Sequence, residues 1–235
     1  MKSVTRGKAS GARPAIPLGT KQQPMQQRSV ETFELILEVT ARLLGDVGVE
    51  RLSTNLVCEH AGISPPALYR YFPNKYAILA ELGERLMKRQ NEAYRAWLAR
   101  EQQLDYDGSH EASIRGLRDM QAAINAVTLA FPGAVWIMRA LRAVPTLRHI
   151  RLASHEDVAE TTFKGLRDRY PSADEGALRI AMRLSTEVMY AATEMVVDNP
   201  QMDGDAINTE VAEMVVRYYD KFVEAEARYA RPRTP

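Results

Sequence analysis

The chain has 235 residues, 31 basic against 30 acidic side chains for a formal charge of +1, and a single cysteine. That length suffices for one large or two modest domains with a real core, and one cysteine excludes an internal disulfide. No apolar run approaches the roughly 18 residues of a membrane span and no hydrophobic leader opens the chain, so a cytoplasmic protein without membrane contact is expected.

The near-neutral total conceals an asymmetry. Residues 1–30 carry Lys2, Arg6, Lys8, Arg13, Lys21 and Arg28 and no acid, whereas from position 101 onward 16 basic residues face 21 acidic ones. A basic start on an acidic remainder suits a protein that meets a polyanion at one end only. Residues 1–27 are rich in Gly, Pro, Gln and Ser, and read as a disordered basic arm. A first helix follows, with Val30, Phe33, Ile36, Leu37, Thr40 and Leu44 at helical spacing and Gly45 and Gly48 beyond its end.

Residues 52–75, LSTNLVCEHAGISPPALYRYFPNK, read as a helix-turn-helix. Ser53 is an N-cap, with Leu52 placed to staple onto Val57. Gly62 stops that helix because it can take a positive φ without steric cost. Ile63 anchors the corner, and Ser64 is placed to cap a second helix with Pro65 and Pro66 in its first turn. In that helix Leu68 and Phe72 face inward, which leaves Ala67, Tyr69, Arg70 and Tyr71 at or near the outside until Pro73 ends it. A short helix presenting small, aromatic and cationic groups is the shape that enters a DNA major groove.

The series Ala61-Gly62-Ile63-Ser64, Leu68-Tyr69-Arg70-Tyr71-Phe72 and Lys75 resembles the DNA-binding domain of the TetR family of transcriptional regulators. The resemblance is tight over about residues 29–80 and departs from the family at Cys58 and at Pro65-Pro66. It implies an all-α fold, with an N-terminal three-helix helix-turn-helix domain joined by a long fourth helix to a C-terminal ligand-binding and dimerisation bundle. The expected division is 1–27 arm, 28–75 DNA-binding domain, 76–230 helical bundle and 231–235 tail.

The DNA-facing residues follow from both readings. Tyr69 and Tyr71 are surplus to the core and can donate to phosphates, where the resemblance also puts them. Lys75 opens the fourth helix, where its ammonium and amide can hold a phosphate. Ser53 and Thr54 sit at the positive end of the second helix and can add a phosphate contact to capping. Pro66 and Ala67 offer apolar surface to a thymine methyl, and Arg70 can pair with guanine or reach a phosphate instead. Ser64 and Pro65 complete the set.

Asn74 caps the fourth helix, whose Leu79, Leu82, Leu86, Ala93 and Trp97 share one face to about residue 103, and Tyr106 to Ser109 reads as a turn. Further helices are expected from Leu117 to Phe131, from Ala134 to Val144, from Thr146 to Tyr170, from Ala173 to Val197 and from Ala206 to Ala227, nine or so in all. No period-two alternation calls for a strand. Met120, Ile124, Phe131, Trp136, Met138, Phe163, Met182 and Met189 are either plain core or the lining of a pocket for an apolar effector, a pocket the resemblance favours.

In the last two helices Ala181, Ser185 and Ala192 allow close approach, and Val211, Met214, Val215, Tyr218 and Phe222 form a broad apolar stripe. The resemblance implies a homodimer formed through this pair. His60, His110, His149 and His155 form no metal motif, no nucleotide or nucleophile fingerprint is present, and neither cofactor, metal nor enzymatic activity is expected. The expected function is a dimeric regulator of double-stranded DNA at a pseudo-palindromic operator, a repressor released by a small apolar or amphipathic molecule. The alternative is a small-molecule-binding helical protein that does not bind an operator.

Overall fold

A computed structural model of the chain describes residues 16–22, 27–101 and 109–229. Among the described residues there are ten α-helices, a single 3-10 turn at Pro145–Leu147 and no strand. The helices are α1 (Gln27–Arg51), α2 (Thr54–Ala61), α3 (Pro65–Tyr69), α4 (Lys75–Glu101), α5 (His110–Leu129), α6 (Ala134–Ala143), α7 (Arg148–Arg169), α8 (Glu175–Asp198), α9 (Gly204–Tyr218) and α10 (Asp220–Tyr229). The last expected helix is two, broken at Tyr219. The expected turn at 106–108 lies outside the described residues.

Two cores organise these helices. The first gathers Phe33, Ile36, Leu44, Leu68, Phe72, Leu79 and Leu86 from α1, α3, the α3–α4 turn and α4, together with Ile137 and Leu141 of α6. The second joins Tyr94 of α4 to Met120 of α5, Phe163 of α7, Met182 and Met189 of α8 and Val211, Val215 and Phe222 of the last two helices. α4 runs through both. Each fully buried aliphatic side chain contributes about 1.5–3 kcal/mol, so α6 is held firmly against the N-terminal helices.

That placement depends on a sharp corner. α5 and α6 are bent by 100° across the Pro132-Gly133 break. Gly133 has φ 71°, and a Cβ there would lie 2.7 Å from the Ala41 carbonyl oxygen of α1. Only glycine meets both demands. α6 is also tied to α8 by Arg139–Asp198 and Arg142–Glu194 ion pairs. α1 continues through Gly45, contrary to the expected earlier end, and is kinked at Gly48, where φ is 70°.

Residues 16–22 correct, for their own length, the reading of 1–27 as a disordered basic arm. They form an extended strap on the helix-turn-helix, with Leu18 packed against the first core. The Lys21 amide donates to Tyr71 O (2.8 Å), and Asn74 Nδ2 donates to Pro17 O (2.9 Å). Residues 1–15 and 23–26 lie outside the described residues.

Candidate nucleic-acid interface and helical cavity

The helix-turn-helix is built from local signals. Ser53 Oγ accepts from the Leu56 amide at 3.1 Å, and Gly62, at φ 63°, donates its amide to Cys58 O and Glu59 O. Leu52 and Val57 are buried in the same core, and Cys58 beside them is a buried free thiol. Ser64 occupies the N-cap position of α3 but makes no side-chain cap bond. Pro66 has no amide hydrogen, and the Ala67 amide already donates to Ser64 O, so the hydroxyl is left for an outside partner. Ser64, Pro65, Pro66, Tyr69 and Arg70 are exposed together, with Ala67 half-buried among them.

Two of the expected DNA contacts are placed elsewhere. Tyr71 is buried, its ring edge-on to Phe33 with centroids 5.8 Å apart. α3 ends at Tyr69, and the Tyr71 amide bonds to Leu68 O, a three-residue turn that rotates position 71 onto the face of Leu68. Lys75 Nζ donates to Val49 O (2.9 Å), Leu52 O (2.8 Å) and, at 3.3 Å, Glu50 O. Its ammonium is committed to the carbonyls that end α1, so it fixes the start of α2 and is not presented to a phosphate.

The exposed residues have an internal scaffold. Tyr69 Oη and Thr54 Oγ1 are 2.9 Å apart and join α2 to α3. Arg70 lies over the Tyr71 ring, 5.8 Å from its centroid, and Nε donates to Gln22 Oε1 of the strap at 3.2 Å. A guanidinium held at one nitrogen keeps its remaining donors in a fixed fork, the form suited to a guanine edge or a phosphate. Gln22 carries no sequence signal for this role.

The second core frames a partly open cavity of about 760 Å³ between α4, α5, α7, α8 and the last two helices. Of the residues read as core or pocket, Met120, Ile124, Met182 and Met189 line it. Phe131, Trp136 and Met138 do not, because the α5–α6 corner carries them to the first core. Phe131 and Trp136 line a separate recess of about 350 Å³ beside α1. Phe163 is buried beneath the Arg179 guanidinium, which lies 3.9 Å from its ring centroid.

α4 contributes Gln90, Tyr94 and Trp97 to the cavity wall, and α7 and α8 contribute His155 and Tyr190. None of these polar residues was singled out for the cavity by the sequence pattern, which favours apolar stripes. Burial pushes the His155 imidazole below its ordinary value and outweighs the opposing pull of Glu187, whose Oε1 lies 3.0 Å from Nδ1. Among the described residues no three His, Cys, Asp or Glu side chains converge as a metal site.

Most of the expected dimer stripe faces inward. Ala181, Ala192, Val211, Val215 and Phe222 are buried within the chain, and Ser185 Oγ donates to Ala181 O. α9 lies along α5, where Asn125 Nδ2 donates to Asn208 Oδ1 at 2.9 Å in the buried seam. Met214 and Tyr218 do point out, at 60% and 37% exposure. On α8 they are joined by Ile180, Leu184 and Met195, all exposed and spaced at helical intervals.

The comparisons with known proteins separate the two halves. A family model described as bacterial regulatory proteins, tetR family, matches residues 36–82. The class C tetracycline repressor protein of Escherichia coli is 41% identical over 54 residues, 23% of this chain and 25% of that protein. The chain thus spans about a quarter of the length of the curated relatives it matches. Solved structures extend the likeness in fold. A tetR-family transcriptional regulator from Streptomyces coelicolor superposes with TM-score 0.58 at 14% identity, over 85% of this chain and 88% of that one. The fatty acid degradation regulator FadR from Bacillus halodurans does so with TM-score 0.59 at 14% identity, over 83% and 97%.

Proposed function

We propose that this chain, which belongs to the TetR family of bacterial regulatory proteins and carries its helix-turn-helix DNA-binding domain, acts as a dimeric cytoplasmic repressor released from its operator by a small molecule. The observation that carries the reading is α4. It opens beside the DNA-facing residues at Lys75 and lines the cavity with Gln90, Tyr94 and Trp97 farther along. One rigid element therefore has an end in each site.

Residues 28–75 would form the DNA-reading domain and 76–230 the effector and dimer domain, with α6 packed across the division. Ser64, Pro65, Pro66, Ala67, Tyr69 and Arg70 would face the major groove, and Ser53 and Thr54 a neighbouring phosphate. A dimer would place two copies of α3 one DNA turn apart, about 34–36 Å, on a pseudo-palindromic site. An effector that fits the cavity better when the far half of α4 is displaced would change that spacing. Only such differential affinity can shift the equilibrium.

A mobility shift with DNA from upstream of the chain's own gene tests the reading. Wild type should retard a discrete fragment, and Arg70→Ala should relax its sequence preference. Equal affinity for that fragment and for random DNA at physiological salt would sink operator recognition.

A further inference from the structure

Gln121 sits at the middle of α5, buried at 1% exposure, and lines the cavity. Its Nε2 donates to the main-chain carbonyl of Met189 at 2.9 Å and to Thr193 Oγ1 at 2.7 Å. A backbone carbonyl can only accept, so the amide cannot be turned round: its nitrogen must face α8. The orientation of Oε1 is thereby fixed, and that oxygen has no hydrogen-bond partner among the described residues. A buried acceptor of fixed direction, in a cavity wall, asks its occupant for a donor.

The surrounding groups narrow the chemistry. Tyr190 Oη, Trp97 Nε1 and His155 Nε2 are likewise buried without a hydrogen-bond partner among the described residues, and all three residues line the same cavity, while His155 Nδ1 faces Glu187 Oε1 at 3.0 Å. Tyr190 and His155 are adjacent, with ring centroids 4.3 Å apart. Tyrosine and tryptophan can donate, so an occupant that both donates and accepts would satisfy more of the wall than one that only donates.

Charge in this inner region is confined to groups behind the wall: Arg151 lies over the Tyr190 ring, 5.7 Å from its centroid, and is paired with Glu187 at 3.0 Å, and neither lines the cavity. The formally charged lining residues are His110, Arg169, Asp220 and Glu226, from the first position of α5, the last of α7, and α10. His110 is paired with Asp220, and Glu226 accepts from the amide and hydroxyl of Ser172. His155 is held neutral by burial. A carboxylate brought to Gln121 would set oxygen against oxygen. The Arg151 and Glu187 charges behind the wall are already paired with each other, so neither a carboxylate nor an ammonium would find a free counter-charge among the lining residues there.

We propose that the cavity selects an uncharged, largely apolar molecule whose one polar end carries a hydroxyl or N–H group that donates to Gln121 Oε1. This rests on the reading of the cavity as an effector site and specifies what that site accepts.

A matched series tests it on the full chain by titration calorimetry: para-octylphenol, its methyl ether para-octylanisole, and para-octylbenzoate. The phenol should bind about ten-fold more tightly than the ether, the ratio expected when one buried acceptor gains or loses its donor, and the benzoate should bind weakest. Gln121→Leu should bring the phenol-to-ether ratio close to one. The wild-type ratio needs no variant, so a poorly folded Gln121→Leu leaves the test standing. Equal binding of phenol and ether, or preference for the benzoate, overturns the head-group inference while leaving the cavity an effector site. If none of the three binds, both fail, and operator binding is judged separately by the mobility shift.

Discussion

Gln90 Nε2 of α4 donates to Thr128 Oγ1 of α5 at 2.8 Å in a buried seam, and Thr128 Oγ1 in turn donates to Ile124 O at 2.6 Å. Gln90 and Ile124 both line the cavity. The bond joins the element that reaches the DNA-facing domain to one that frames the cavity. Replacing Gln90 by Leu removes the donor but leaves the Thr128 hydroxyl able to donate to Ile124. The expected cost is about 1 kcal/mol in urea denaturation. The functional effect should be larger in proportion. Effector-induced loss of operator affinity should shrink in Gln90→Leu while effector binding itself is retained. Unchanged coupling in the variant would show that α4 is moved by another contact.

Lys75 gives a second test, because its three bonds to Val49, Glu50 and Leu52 carbonyls are structural. Lys75→Met keeps the apolar stem and removes every donor. It should cost about 1–3 kcal/mol of stability through the uncapped end of α1. The slope of log DNA affinity against log salt should stay as in wild type. A slope lowered by about one unit would mean that the ammonium leaves the carbonyls for a phosphate.

Lys75 and Tyr71 also mark where the sequence stops being readable. Ser53, Gly62 and the Pro65-Pro66 start are local, so caps and turns followed directly from neighbouring residues. The fate of Tyr71 depended on α3 stopping at Tyr69 and tightening through the Tyr71–Leu68 bond, a difference of one residue in a short helix. In the larger half Met120, Met182 and Met189, which the pattern leaves as core or pocket, lie along the cavity. Phe131, Trp136 and Met138 went elsewhere because the corner at Gly133 turns α6 toward α1, and no periodicity encodes a direction between helices. The exposed series Ile180, Leu184 and Met195 was visible in principle, since it lies opposite Leu178, Met182 and Met189 on α8.

The strap makes a prediction about length. Chains beginning at residue 16 and at residue 23 differ by the segment that holds Leu18 in the core, Pro17 O on Asn74 and Gln22 on Arg70. Thermal unfolding should be lower by several degrees in the shorter chain, a loss of about 1–2 kcal/mol from one half-buried leucine and the lost hydrogen bonds. Gln22→Ala in the full chain should leave melting nearly unchanged and lower sequence preference, because only the aim of Arg70 is lost. If both changes leave DNA preference intact, the strap supports the fold alone.

His155 predicts the acid side of the stability curve. Its folded-state value is depressed from the ordinary 6.5, chiefly by burial, so the unfolded chain takes up the proton first. Stability is therefore full above that value and falls as the pH drops through the range just below it. Glu187 is also depressed, but from 4.5, and contributes only at lower pH. Glu84 and Glu194, raised by burial, act with the opposite sign and are present in wild type and variant alike. His155→Gln should flatten the decline of melting temperature between about pH 7 and about pH 5. An equal decline in both proteins would assign the acid sensitivity to other groups.

The last prediction concerns the outer face of α8 and α9. Ile180 and Met214 are about three-fifths exposed, and Leu184, Met195 and Tyr218 more than a third, so the two helices each present large apolar side chains to solvent. Patches of that kind on a folded chain mark an interface, and an obligate dimer would bury upwards of about 2,000 Å² in total. Val215 is a poor probe, since it is only 8% exposed and lies in the second core, where a charge would unfold the chain itself. Met214→Asp and Ile180→Asp are the informative pair. Each places an unpaired carboxylate in the proposed interface while leaving the monomer core untouched, so both should sediment as monomers and retain the helical circular dichroism of wild type. Operator affinity should fall with dimerisation, because a single half-site then has to hold each chain. A wild type that is monomeric at micromolar concentration, or variants that remain dimeric, would remove α8 and α9 as the contact and leave their apolar face without a partner.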